Sequence, residues 1–371
     1  MKISGVKIPA GVTITAPAQE SQAPPTPSGP SKFVVGAWLN NNNAGAAYIY
    51  NSDGTGEVKL TASDGGSDDR FGVSVAMSDT HVVVGASQDD DPSNSGSAYV
   101  YNMDGTGEVK LTASDAAASD LFGWSVAATN THIVVGAREI DGGKGAVYTY
   151  NTDGTGEVKI TASDAAATDL FGFSVAATNT HIVVGARAEG VGGSVYVYNT
   201  DGTGEVKITA SDAADSDYFG TSVAMSDTHI VVGAFGDDDL GSRSGSAYVY
   251  NLDGTGEVKI TASDAAASDF FGWSVAMSDT KIFVGAFKNG GSGSVYVYNL
   301  DGTGEQKITP SDAAGNDEFG RSVAFQGDKI AVGATKLETG AAYIYNTDGT
   351  SEQKITPSDG VAGDYFGKSV A

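Results

Sequence analysis

The chain has no cysteine, which excludes disulfides and thiolate chemistry and leaves the redox compartment open. It has no run approaching the roughly 20 apolar residues of a membrane span. Basic residues are scarce: 21 Lys and Arg stand against 46 Asp and Glu in 371 residues, a net charge of −25. Phosphate recognition needs a basic footprint, so nucleic acid is not an expected partner, and contact with anionic membranes is disfavoured on the same ground. Only 18% of residues are charged while Gly numbers 51, so the composition is that of a turn-rich globular protein and not of an acidic tail. Excess acid then serves solubility. Residues 1–20 contain Lys2 and Lys7 but no apolar core followed by a small-residue cleavage site, so no secretory signal is evident. Nucleophile elbows, phosphate-cradling loops and Ser-His-Asp arrangements are absent too.

What is present is repetition. Phe-Gly pairs begin at Phe71, Phe122, Phe171, Phe219, Phe271, Phe319 and Phe366, and Val-Gly-Ala triplets centre on Gly36, Gly85, Gly136, Gly185, Gly233, Gly285 and Gly333. The Gly always follows the Phe by 14 residues, and the Phe always follows the first Tyr of a Tyr-x-Tyr by 23. Only the stretch from Gly to Tyr varies, between 10 and 15 residues. Packed strands resist insertions and loops accept them, so each copy presents one variable loop on a common face.

Each copy carries four strand signals. In the third, Phe122–Ala127 places large residues on one side and small ones on the other, and His132–Ala137 is apolar nearly throughout, as a strand covered on both faces should be. Ala146–Tyr150 has tyrosines two apart, and Gly156–Thr161 alternates charged with aliphatic residues like a lysine-protected edge. An Asp-Gly turn joins these last two. Four antiparallel strands repeated seven times predict an all-β fold, a seven-bladed β-propeller over residues 32–371. The array begins at a second strand, Phe33–Ala37, and reaches a first strand, Phe366–Ala371, so the C-terminal strand is expected to close the ring. Ahead of it, residues 1–20 read as an extended docking arm and the Pro- and Ser-rich residues 21–31 as a linker.

The paired Phe-Gly and Gly-Ala signatures resemble FG-GAP repeats, the units of the seven-bladed propeller in integrin alpha subunits and in related bacterial, fungal-lectin and phage surface proteins. The resemblance covers residues 32–371 and implies that strand one lines a central channel. It also implies that the 2–3 and 4–1 loops share a face that commonly meets ligands. Integrin-type repeats often carry a calcium loop between strands one and two, but here that segment is Met77–Thr80 or its equivalent, with too few ligands. No cofactor is therefore expected. Near-identity of the copies is also similar to repeat proteins of marine bacteria and their phages.

Candidate residues fall into five groups. His81, His132, His181 and His229 share one repeat position with Lys32, Lys281 and Lys329, so they are set apart around the ring and do not form a metal cluster. Asp115 and its six equivalents lie seven residues before each Phe, and Asp120 and its equivalents two before. The first set reads as capping an Ala-rich turn and the second as accepting backbone N–H groups; the alternative is a cation in each 4–1 loop. Asp89, Asp90 and Asp91, with Asp237, Asp238 and Asp239, form acidic clusters in the two long variable loops, either a hard-cation site or solvated loop tips. Immediately after Gly-Ala stand Trp38, Arg138, Arg187, Phe235 and Phe287, residue types found in binding hot spots, as candidate ligand contacts unless they pack the loop base. Trp124 and Trp273, in phase with Phe, are expected in the core between blades.

The function these features predict is a non-enzymatic binding and display module. A virion decoration or fibre protein, or a surface adhesion protein, would contact a glycan or protein through the variable 2–3 loops while its arm docks to a larger assembly. The alternatives are a polysaccharide-cleaving enzyme with paired carboxylates at the channel mouth and a purely structural assembly protein.

Overall fold

The structure, a computed structural model, describes residues 31–89, 93–336 and 339–371. The expected arm over 1–20 and all of the 21–31 linker except Ser31 lie outside the described residues, as do Asp90 and Asp91. Seven four-stranded antiparallel sheets form the blades of a propeller. In blade three, Phe122–Ala128 is the inner strand, followed outward by His132–Ala137, Ala146–Asn151 and a short outer strand, Val158–Ile160. Among the described residues no helix is long and apolar enough to cross a membrane.

Blade one is assembled from distant parts of the chain: Phe366–Val370 pairs antiparallel with Lys32–Ala37, which continues to Ala46–Asn51 and Val58–Leu60. The junction is sealed where Val34 N–H donates to the Ala371 carbonyl (2.8 Å) and Ala371 N–H to that of Val34 (2.9 Å). Closure removes the open sheet edge that an incomplete ring would expose.

Blades pack through apolar faces. Val83, Val100 and Leu111 of blade two meet Phe122, Ile133, Val135 and Tyr148 of blade three in one buried cluster, while Val82 and Val84 face the other way, toward blade one. The second strand is thus covered on both sides, as its unbroken apolar run predicts. Phe122 meets Tyr148 and Tyr150 edge-on, with ring centres 5.5 and 6.3 Å apart.

The two signature glycines serve one close approach. A Cβ on Gly85, from the Gly-Ala of blade two, would stand 2.0 Å from the carbonyl oxygen of Gly123, from the Phe-Gly of blade three. Gly123 itself has φ +84° and its own Cβ would meet the Ser97 carbonyl at 2.2 Å, so only glycine fits at either place. Beside them Ser74 Oγ donates to the Gly123 carbonyl (2.8 Å). The same serine bond recurs between every pair of neighbouring blades, ending with Ser369 Oγ to Gly72, which completes the circle at 3.0 Å.

Candidate functional site

The seven aspartates seven residues ahead of each Phe do not cap a turn. Asp115 instead reaches across its own blade, accepting from Tyr148 Oη at 2.7 Å and from Lys159 Nζ at 2.6 Å. The same triad of loop Asp, third-strand Tyr and fourth-strand Lys closes in all seven blades, down to Asp359, Tyr48 and Lys59 in blade one. The sequence suggests a cap because the Tyr and Lys lie over 30 residues downstream, beyond the reach of local pattern. The Lys159 ammonium and Tyr148 hydroxyl hold Asp115 below the ordinary carboxylate range, and burial followed by the Asp115 hydrogen bond pushes the Tyr148 phenol up. An ammonium thus occupies the place a cation would take in each 4–1 loop. A second clasp lies beside it: Glu157 accepts from Ser114 Oγ (2.5 Å) and Tyr150 Oη (2.9 Å).

The aspartates two residues before Phe behave as expected, since Asp120 accepts the N–H of Ala117 at 2.7 Å and each equivalent does the same three residues back. Burial raises Asp120, Asp169 and Asp217.

The long acidic loops divide. Asp89 is buried, accepting from Tyr99 Oη (2.6 Å) with Lys110 3.1 Å away. Asp237 and Asp239 converge with Asp212, but Lys259 Nζ already sits among the three at 2.7, 2.6 and 2.6 Å. Burial opposes the Lys259 charge, yet these carboxylates win and lift its pKa. Asp238 points elsewhere and accepts the Arg243 N–H. The cluster is an internal ion-pair network.

The loop-face end of the central channel is different. Trp124 and Trp273 are not in the core between blades: they line this mouth and keep partial exposure. The reason is a break in register. Phe122 opposes Ala137 but Ser125 opposes Gly136, so Gly123 and Trp124 are extra residues that reset the alternation. Trp124 N–H turns back to the Leu121 carbonyl (3.1 Å), and Leu121 sits at φ 57°. This left-handed position precedes Phe-Gly in every blade and is held there by Arg70, Leu121, Leu170, Tyr218, Phe270, Glu318 and Tyr365, a strain that seven non-glycine residues share.

Three positions per blade therefore build the mouth: the residue after Gly-Ala, the residue before Phe-Gly and the residue after it. Arg138 lies over the Trp124 ring at 3.6 Å and Arg187 over Phe173 at 3.9 Å. Phe235 stacks on Tyr218 at 5.1 Å and meets Trp273 edge-on at 4.8 Å, and Phe287 stacks on Phe270 at 5.2 Å. Arg321 lies over Trp273 at 4.5 Å, and Trp38 receives Arg70 at 4.8 Å and Lys368 at 5.9 Å. All five candidates thus join one rim of alternating cations and rings. Phe235 and Phe287 are buried and pack the loop base; Arg138 and Arg187 reach the lumen. Together with Val73, Phe173, Thr221, Arg321 and Lys368, the two arginines and two tryptophans enclose about 470 Å³.

Burial lowers the pKa of Arg138, Arg187 and Arg321, but guanidinium remains charged in proteins. Lys368 is hemmed in by the ring wall with part of its surface open to the lumen. Burial, with the neighbouring Arg321 adding to it and Glu318 opposing, pushes it down to about 7. Glu318 is buried among Lys288 (3.1 Å), Lys336 (3.1 Å) and Arg321 (3.8 Å). The other end of the channel is lined by Ser78, Asp79, Thr129, Asn130, Asn179 and Asp227, with no cation among its lining residues. The four histidines begin their second strands apart from one another, each Nδ1 beside the preceding Thr hydroxyl.

Among known families, the FG-GAP repeat matches residues 55–101, 106–150, 155–198, 203–250, 255–298, 303–345 and 350–371. Each full match runs from a fourth strand to the third strand of the next blade, so the repeat unit is offset from the blade by one strand. No curated protein matches the chain.

Proposed function

Because the chain belongs to the FG-GAP repeat family, we propose that it is a non-enzymatic binding and display module that engages a glycan with its loop face, as a virion decoration or fibre protein or as a surface adhesion protein. The observation that carries this reading is the rim of Trp124, Trp273, Arg138, Arg187 and Arg321 around one channel mouth. Aromatic and arginine side chains in a concave site supply flat apolar contact and directed donors. The closed ring fixes the rim in advance, so binding orders little. Among the described residues, three of the four exposed large hydrophobics, Val191, Leu240 and Val361, stand on loops of the same face at 60, 51 and 59% exposure, which suits a surface that meets a partner.

A glycan array probed with the labelled full chain tests the reading. Binding that is lost in a Trp124→Ala, Trp273→Ala double variant is the expected result; capture of proteins alone, or release of new reducing ends from bound polysaccharide, would replace it. Residues 1–30 are proposed to anchor the propeller in its assembly. Their deletion should abolish incorporation into the particle or surface fraction while leaving the thermal midpoint of the propeller unchanged.

A further inference from the structure

We infer that the mouth takes a single acidic sugar, holding its carboxylate or sulfate on the guanidinium groups of Arg138, Arg187 and Arg321 while the sugar ring lies against the aromatic wall. This rests on the glycan-binding reading and names the class of ligand.

Charge is the first ground. In a chain of net charge −25, the residues lining this cavity include three arginines and a lysine and no Asp or Glu. Arg138 and Arg187 both lie over the Phe173 ring, at 5.4 and 3.9 Å, so two like charges share one aromatic ring. Compensation from within is thin. Glu139 is 3.5 Å from Arg138 and Glu318 is 3.8 Å from Arg321, while among the described residues no carboxylate comes within ion-pair distance of Arg187. An anion entering the lumen relieves this repulsion.

Free donors are the second. The Nε–H groups of Arg138, Arg187 and Arg321 are buried with no hydrogen-bond partner among the described residues. A guanidinium stacked on a ring leaves its in-plane donors unused, and two adjacent oxygens of a carboxylate or sulfate match that fork. The Nε–H groups themselves are closed off from the lumen, so an anion there is met by the outer ends of the guanidinium groups that line the cavity.

Size and surroundings narrow the ligand further. About 470 Å³ lies within the range of small-molecule sites, roughly 300–1,000 Å³, and the Trp124, Phe173 and Trp273 rings give it an apolar wall. The strongly acidic remainder of the molecule repels an extended polyanion. A terminal acidic sugar fits where a nucleic acid or a long charged polysaccharide does not.

The test is titration calorimetry of the full chain at low salt with three short galactose-based oligosaccharides: one ending in galacturonate, one ending in galactose 6-sulfate and one neutral. At least one acidic sugar should bind, with the neutral one about tenfold weaker or worse. Arg187→Gln should weaken the acidic sugar by about thirtyfold, and Arg187→Lys should recover only part of that because ammonium offers no fork. Thermal midpoints should stay unchanged. Equal binding of the neutral and acidic sugars would overturn the inference while leaving a glycan-binding mouth in place. It would equally fall if both Arg187 variants bound like wild type, if inorganic sulfate alone bound as well as the sulfated sugar, or if none of the three bound while the glycan array was positive.

Discussion

The clasps that build the blades and the rim that edges the channel both set a cation over an aromatic ring, with opposite outcomes for its charge. In the clasps, charge is neutralised internally: Asp115, Tyr148 and Lys159 satisfy one another, and the identical triad recurs in every blade. At the rim the blades differ. The position after Phe-Gly is Val73, Trp124, Phe173, Thr221, Trp273, Arg321 and Lys368, and the Nε–H groups of Arg138, Arg187 and Arg321 have no acceptor among the described residues. Sevenfold sameness therefore marks what holds the ring, and departure from it marks what the ring presents.

That contrast breaks most severely if the ring is opened. Removing residues 366–371 takes the inner strand from blade one together with the Ser369 bond to Gly72, and calorimetry should show the single cooperative transition lost. Next in size is Gly136→Ala, whose Cβ would stand 2.3 Å from the Gly172 carbonyl oxygen. Denaturant titration should give a loss of about 3 kcal/mol or more, the upper part of the range for overpacking. Tyr148→Phe, which leaves one of the seven clasps without its hydroxyl, should cost about 1 kcal/mol by the same measurement.

Acid provides a distributed version of the same test. The loop aspartates Asp64, Asp115, Asp164, Asp212, Asp264, Asp312 and Asp359 all titrate below their ordinary value in the folded state. A depressed folded pKa contributes stability that is complete above the unfolded value, about 4, and is lost as pH falls through the folded one. Asp120, Asp169 and Asp217 shift the other way and soften the fall. Because the depressed carboxylates outnumber the raised ones, the thermal midpoint should hold from neutrality to about pH 4 and drop below it. The clasp carboxylates are nearly half exposed, so each contributes modestly.

The smallest effect belongs to the rim. Lys368, near 7 with Arg321 and Glu318 as its charged neighbours, is mostly protonated at pH 6 and mostly neutral at pH 8. Binding of an acidic sugar should weaken by about threefold across that interval, while the folded state gains stability as pH rises through it, because the unfolded lysine stays protonated where the folded one does not. Lys368→Met should flatten the dependence.

Much of this was legible in the residues themselves. Seven in-phase motifs with one elastic segment led directly to seven blades, to closure by Phe366–Val370 and to the loop face as the place of variation. Trp38, Arg138, Arg187, Phe235 and Phe287 do share one rim. Other features were hidden because they depend on geometry that period-two reasoning cannot carry. The insertion at Gly123 and Trp124 reverses which side Trp124 faces, so a residue in phase with Phe122 lines the channel instead of the core. The clasps join residues far apart in sequence, which makes Asp115 look like a local cap. The residue before Phe-Gly drew no attention from the sequence, although a signal existed: the residues flanking Phe-Gly vary freely within a segment whose length never changes.

The offset between repeat and blade also governs how the molecule comes into being. The strand Phe366–Val370 is made more than three hundred residues after its partner Lys32–Ala37. At about 5–20 residues per second, a ribosome takes on the order of 15–70 s to cover that distance. For this interval the nascent chain carries a first sheet with the edge meant for its inner strand uncovered, and its near-identical neighbours are ready decoys for it. Chaperone occupancy during synthesis should accordingly concentrate on the earliest blade.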